Sequence, residues 1–296
     1  YGIIVQLKLS SMNIWSKNPA SLAKNLIIFS ITLVVLSLGA FLCIDVLNLG
    51  GTRDFLVHID QRPFFFPYQP FTFYHFGRNN GIAEIIQWSI LAGGIGITFF
   101  QAGKWTNRDK AWSQFFFLFG GAFLLMLLED AGDIRHTLMS YIQTIAHEPD
   151  QGIVGTLFEA LYFAGIAFLP AWAVWKYRAL LYTVPRALVY LVIGLFLRYL
   201  AGSLSLIGTA FDMFLEHNLY TLLGKQLVQL AYSLGGTELQ ILWRDNWSED
   251  HIAFSLLDSL IEENIEIMAY AFMGAGIIYL LQTKPFSSLS SQTPDN

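Results

Sequence analysis

Ionisable residues set into apolar sequence are the places where this chain could do chemistry. Glu129, Asp133 and His136 stand at i, i+4 and i+7, which puts them on one face of a helix. Asp258, Glu262 and Glu266 stand at i, i+4 and i+8, with Glu263 alongside. Glu84 and Glu159 each fall one turn into another apolar run, and Asp212, Glu216 and His217 follow a further one. Carboxylates with few histidines suit hard or intermediate cations, so Ca, Mg, Mn and Fe are the candidate ions. Asp133-x-x-His136 has the i, i+3 spacing of di-iron helices, with Glu84 and Glu159 available for the lone-glutamate positions. Glu263-x-x-Glu266 departs from that pattern because it lacks the histidine. The expected metal ligands are therefore Glu84, Glu129, Asp133, His136, Glu159, Glu262, Glu263 and Glu266. The competing expectation is a polar network with a purely structural role.

Charge balance sharpens the question. Glu84, Glu159 and the Glu262 group fall at predicted helix N-termini, where negative charge is favoured. Glu129, Asp130, Asp133, Asp212 and Glu216 fall at C-terminal ends, where it is disfavoured. Arg135, a bound cation or protonation of some carboxylates would offset them. Arg198 is the second anomaly, at the middle of an apolar run where its side chain cannot easily reach water. It reads either as an interhelical ion pair, with Glu266 or Glu84 as partner, or as the residue that holds an organic anion or cofactor in a cavity. The ion pair is the favoured expectation.

The elements that must position these groups follow from composition. Of 296 residues, 54% are apolar and only 13% are charged, against roughly 25% in soluble domains. Mean hydropathy is +0.49. Six runs approach the ~20 residues needed to cross a bilayer: 25–47, 81–101, 112–130, 157–175, 187–208 and 262–282. The expected fold is all-α, a polytopic membrane bundle of about six spans with interfacial amphipathic helices on the outer side. Residues 1–24 and 283–296 are expected to flank a transmembrane domain over 25–282. Met12 offers an alternative start to Tyr1. Paired small residues, Gly93, Gly94 and Gly96, Gly120 and Gly121, Gly274 and Gly276, should bring the second, third and last spans together.

Lys and Arg set the orientation. Lys8, Lys17, Lys24, Lys104, Arg108, Lys110, Lys176, Arg178, Arg186 and Lys284 fall on one side, against Arg53, Arg62, Arg78, Arg135, Lys225 and Arg244 on the other. The positive-inside rule then puts both termini in the cytoplasm of a bacterial inner (plasma) membrane, with loops 48–80, 131–156 and 209–260 outside. Of the acids, only Asp109 and Asp295 fall on the inner side. The outer segment 63–76, Pro63 to Phe76, is aromatic and proline-rich, and suits the bilayer interface or a partner subunit. Residues 209–251 carry Leu222, Leu223, Leu227, Leu230 and Leu234 among polar positions, as an interfacial helix would.

These features exclude several classes. Cys43 is the single cysteine, so there is no disulfide scaffold and no structural zinc site built on thiolates. None of the six histidines is deep in a span, which argues against haem. Nucleotide-binding and familiar hydrolase motifs are missing, and net charge −5 gives no footprint for nucleic acid. The leading expectation is a membrane protein whose outer acidic and histidine cluster binds a cation, a divalent metal first among them, in a binding or catalytic role. The alternatives are an accessory subunit of a larger membrane complex and a cation channel or carrier. The third is weakened by the shortage of acids on the inner half.

Overall fold

Pro19 and Pro185 each occupy the first position of a helix, where the missing N–H costs no hydrogen bond. Asp109 caps another, its Oδ1 accepting from the backbone N–H of Ala111 (2.9 Å) and Trp112 (3.2 Å). The computed structural model describes residues 19–60, 81–132, 134–146, 153–214 and 219–281. Among them there is no strand, and the chain is nearly all helix. The helices are α1 (Pro19–Ala40), α2 (Thr52–Asp60), α3 (Ile82–Trp105), α4 (Lys110–Gly132), α5 (Ile134–Ala146), α6 (Ile153–Lys176), α7 (Arg178–Leu181), α8 (Pro185–Phe214), α9 (Leu219–Asn246), α10 (Glu249–Ser255) and α11 (Glu263–Leu280). Two π-helical turns, Phe41–Val46 and Leu256–Glu262, follow α1 and precede α11.

Four stretches among the described residues are long and apolar enough to cross a membrane: Pro19–Val46, Ile82–Trp105, Lys110–Gly132 and Pro185–Leu204. Helix α6 adds a shorter apolar run, Ala160–Lys176. Helix α11, 18 residues long, opens on Glu263 and Glu266 and is buried along most of its length. A helix enclosed by other helices is apolar all round, as α11 is beyond its first turn, and its acids stand at the N-terminus, where the helix dipole favours negative charge.

Helix α11 sits at the centre, packed on α8, α1 and α3, while α3 pairs with α4, and α6 joins α4 to α8. Glycine permits the closest of these approaches. A Cβ on Gly94 would lie 2.7 Å from the Phe123 ring, and one on Gly120 would lie 2.7 Å from Thr98 Oγ1, so these two residues join α3 and α4. Gly276 meets Leu191 and the Ala187 carbonyl across α11–α8, and Gly274 meets Leu26 of α1 and Ile90 of α3. Gly93 and Gly96 face open space and join nothing. An aromatic column fills α4: Phe119 stands 5.6 Å from Phe115 and 5.2 Å from Phe123, and Trp112 stacks on Phe116 at 5.8 Å.

The two ends of the bundle differ in chemistry. Pro19, Lys104 and Leu281 border one groove, and Lys176 closes on Thr106 and Ser113 at the same end. The starts of α3 and α11 and the end of α4, with their carboxylates, form the other. Beyond that acidic end, α9, α10 and the second π turn bury a small core of their own around Val228, Leu239, Trp243, Ile252 and Leu256. Helix α9 bends at Gly236, whose φ of 72° is readily adopted only by glycine. Leu227 packs against this core, whereas Leu222, Leu223, Leu230 and Leu234 stay exposed. The aromatic segment 63–76 lies outside the described residues.

Candidate functional site

Helix α8 carries Arg198 into the bundle, where it is 6% exposed. Its Nη1 donates to Glu266 Oε1 of α11 at 2.6 Å, and its Nη2 stands 3.8 Å from Asp130 Oδ1 of α4. Of the two partners expected for Arg198, the structure therefore gives Glu266. Asp130 takes the second position, and its other oxygen accepts from Tyr270 Oη at 2.6 Å. The guanidinium also lies over the Tyr270 ring, 5.9 Å from its centre. Four side chains from three helices thus form one buried, charge-assisted network.

The remaining acids of α11 are met from other directions. Glu263 accepts from Gln87 Nε2 of α3 at 2.7 Å, and the same amide reaches the Glu263 carbonyl at 3.2 Å. Glu262 accepts from Tyr220 Oη of α9 at 3.0 Å. The π turn over Leu256–Glu262 adds a residue to the helix immediately before this acidic run. Such bulges re-aim side chains and recur at functional sites. Asn264, on the face toward α1, donates to Ser37 Oγ at 3.3 Å. The α1 face it meets is built from Ala23, Ser30 and Ser37, small residues seven apart.

Of the expected metal ligands, the structure brings Glu262, Glu263 and Glu266 into one region at the start of α11. Asp258 and Glu266 repel Glu262, and Glu84, half-buried on the first turn of α3, repels Glu263. Glu129 is buried at the end of α4, 7% exposed. Asp133 lies outside the described residues. His136 and Glu159 belong to α5 and α6, but their side chains lie outside the described residues, as does that of Arg135. Among the described residues, no three His, Cys, Asp or Glu side chains gather closely enough to cage a metal ion. Sequence reasoning missed the neutral members of the network, Gln87, Tyr220 and Tyr270, because nothing in their spacing separates them from ordinary span residues. Outside the bundle, Lys225 of α9 pairs with Asp250 of α10 at 2.6 Å, and that hydrogen bond holds the ammonium above the usual lysine value.

No protein-family model, curated protein or solved structure matches this chain. The site's own geometry therefore carries the functional reading.

Proposed function

We propose that this chain is an integral membrane protein that binds a cation at its acidic end, with a divalent metal as the leading ion. The observation that carries the reading is an imbalance of charge. Asp130, Glu262, Glu263 and Glu266 cluster where, among the described residues, Arg198 is the basic side chain in contact, and a bound cation would offset the charge that remains. Tyrosine and glutamine hydrogen bonds disperse that charge but do not neutralise it. The described carboxylates do not close a cage by themselves, so the metal reading requires Asp133, His136 or Glu159 to complete the ligand set. Elemental analysis of protein purified without chelator tests it. A divalent ion is expected to survive dialysis in the parent and to be lost from both Glu129→Gln and His136→Ala. Retention of the ion in both variants would place it elsewhere.

The reading includes six spans, with α6 and α11 crossing as well, and both termini in the cytoplasm of a bacterial inner membrane. Its support is the gathering of Lys104, Lys176, Pro19 and Leu281 at one end of the bundle. Cysteines introduced at Asn107 and Asn246, with Cys43 replaced, test it by reaction with an impermeant maleimide on intact cells. Asn246→Cys is expected to label and Asn107→Cys to stay protected. Labelling of Asn107→Cys from outside would invert the orientation and put the acidic end in the cytoplasm.

A second reading, an accessory subunit of a larger membrane complex, is favoured by the exposed leucines 222, 223, 230 and 234 on the helical cap. Purification in mild detergent tests it. A stoichiometric companion lost on changing Leu230 and Leu234 to Ser would support it, and recovery of the chain alone would count against it.

A further inference from the structure

A pocket of about 610 Å³ opens at the basic end of the bundle, where α3 finishes, α4 starts and α6 finishes. Its deeper part is apolar. Phe99 of α3 and Phe117 of α4 meet edge to face at 5.7 Å, with Leu118 beside them. Phe99 falls shortly before the end of α3 and Phe117 shortly after the start of α4, so both lie about 10 Å below the helix ends. Phe117 is 61% exposed. The rim is polar, with Thr106, Ser113, Gln114 and Lys176. Thr106 and Ser113 each donate to the Ala102 carbonyl at 2.8 Å, so their protons are taken. Tyr177 Oη donates to Gln114 Oε1 at 2.8 Å, which leaves the amide N–H groups as its open side. The Lys176 ammonium lies over the Tyr177 ring, 5.3 Å from its centre. Among the described residues, Gln114 Nε2 and Lys176 Nζ are therefore the rim's donors to a ligand.

Aromatic and basic side chains around the pocket mark this level as a membrane–water interface. At the end of α6, Trp172 and Trp175 are exposed with their rings 5.0 Å apart, and the Arg178 guanidinium lies 5.1 Å from the Trp175 ring. Such residues gather at the depth of lipid headgroups. Lys104, Arg108, Lys110, Arg178 and Arg186 are exposed in the turns at this end. Asp109, the acid in those turns, spends its Oδ1 on the start of α4. The field at the rim is therefore positive. A soluble anion would satisfy the rim and leave Phe99, Phe117 and Leu118 unused. A zwitterionic lipid would bring a cation of its own among the bases. An anionic lipid matches both parts, with its phosphate at the rim and an acyl chain below it.

We propose that this pocket binds an anionic phospholipid, its phosphate held by Lys176 and Gln114 and one acyl chain lying against Phe99, Phe117 and Leu118. The proposal rests on the membrane reading above, and is independent of the cation site and of which side this end faces. The full chain in nanodiscs of phosphatidylglycerol and phosphatidylcholine with matched acyl chains, released into native mass spectrometry, tests it. The first lipid retained is expected to be phosphatidylglycerol, by about fivefold or more. Lys176→Gln should lower that preference about fivefold, the effect of one basic side chain on an anionic headgroup. Arg186→Gln removes the same charge outside the pocket and should leave the preference unchanged. Gly103 lines the pocket and a Cβ there meets nothing within 4 Å, so Gly103→Leu should reduce lipid retention with the melting temperature at or above the parent's. Equal losses in Lys176→Gln and Arg186→Gln, retention untouched by Gly103→Leu, or displacement of the lipid by glycerol phosphate would overturn the proposal. A chain that does not enter the nanodisc would overturn the membrane reading itself, whereas one that enters and retains both lipids equally overturns this proposal alone.

Discussion

Replacing Arg198 with leucine is expected to destabilise the folded protein by about 3–5 kcal/mol, the loss seen when one member of a buried ion pair is removed and its partner stays charged. The geometry makes this a sensitive position. The guanidinium holds Glu266 at 2.6 Å, reaches Asp130 at 3.8 Å and covers the Tyr270 ring, so a single truncation breaks contacts with two helices. Adding Glu266→Leu should recover much of the loss, because the double variant replaces a charged pair with apolar packing. Asp130 then keeps its hydrogen bond from Tyr270. Reversible unfolding in mixed detergent measures all four corners of the cycle. An Arg198→Leu protein as stable as the parent would mean that Arg198 faces water or a ligand rather than its carboxylates.

The second large effect is steric. Gly194 lies one turn before Arg198, at the point where α8 and α11 approach most closely. A Cβ there would stand 2.6 Å from Met273 Cγ and 2.8 Å from both the Ala269 carbonyl oxygen and the Met273 backbone nitrogen. Backbone atoms cannot rotate away as a side chain end can, so the two helices must separate. Gly194→Val is expected to cost about 1–3 kcal/mol from overpacking alone, and more if the separation also stretches the Arg198–Glu266 contact. Gly93→Ala is the matched control. Its Cβ meets nothing within 4 Å, so helix propensity should leave stability equal or raise it by up to ~1 kcal/mol. Equal tolerance of Gly194→Val and Gly93→Ala would show that α8 and α11 are not in close contact.

The ion pair was largely legible in the sequence because depth can be counted. Arg198 stands about 13 residues into α8 and Glu266 about 14 residues from the end of α11, which puts both about 20 Å from the basic end. Glu84, the other expected partner, lies about 21 residues from the end of α3, roughly a further 12 Å along the bundle. The same count matches Gln87 with Glu263. It fails for Asp130, which stands some 20 residues into α4 yet reaches Arg198, because stagger and tilt between helices leave no trace in a single sequence. Close packing was legible where glycines come in pairs, at Gly94 and Gly120. It was missed at Gly194, since a lone glycine in an apolar helix looks the same whether it faces lipid or a carbonyl. The expectation of about six spans and the four long apolar helices differ over α6 and α11. Helix α11 is apolar beyond its first turn, and Glu263, Asn264 and Glu266 in that turn are what set it apart from the four.

Cation binding at the acidic end is tested most directly by titrating the purified protein with Ca, Mg, Mn, Fe and Zn in turn and following thermal unfolding. A ligand that binds only the folded state stabilises it by about 2.7 kcal/mol at a hundred times its Kd, a shift of roughly 5–10 °C for a chain of this size. At least one ion is expected to produce a saturable shift. That shift should shrink in Glu129→Gln and in Glu263→Gln, and remain in Glu238→Gln, which alters an exposed acid on the cap. A melting temperature that none of the five ions moves would contradict metal binding, and would leave the carboxylates of α4 and α11 as an arginine-paired structural network.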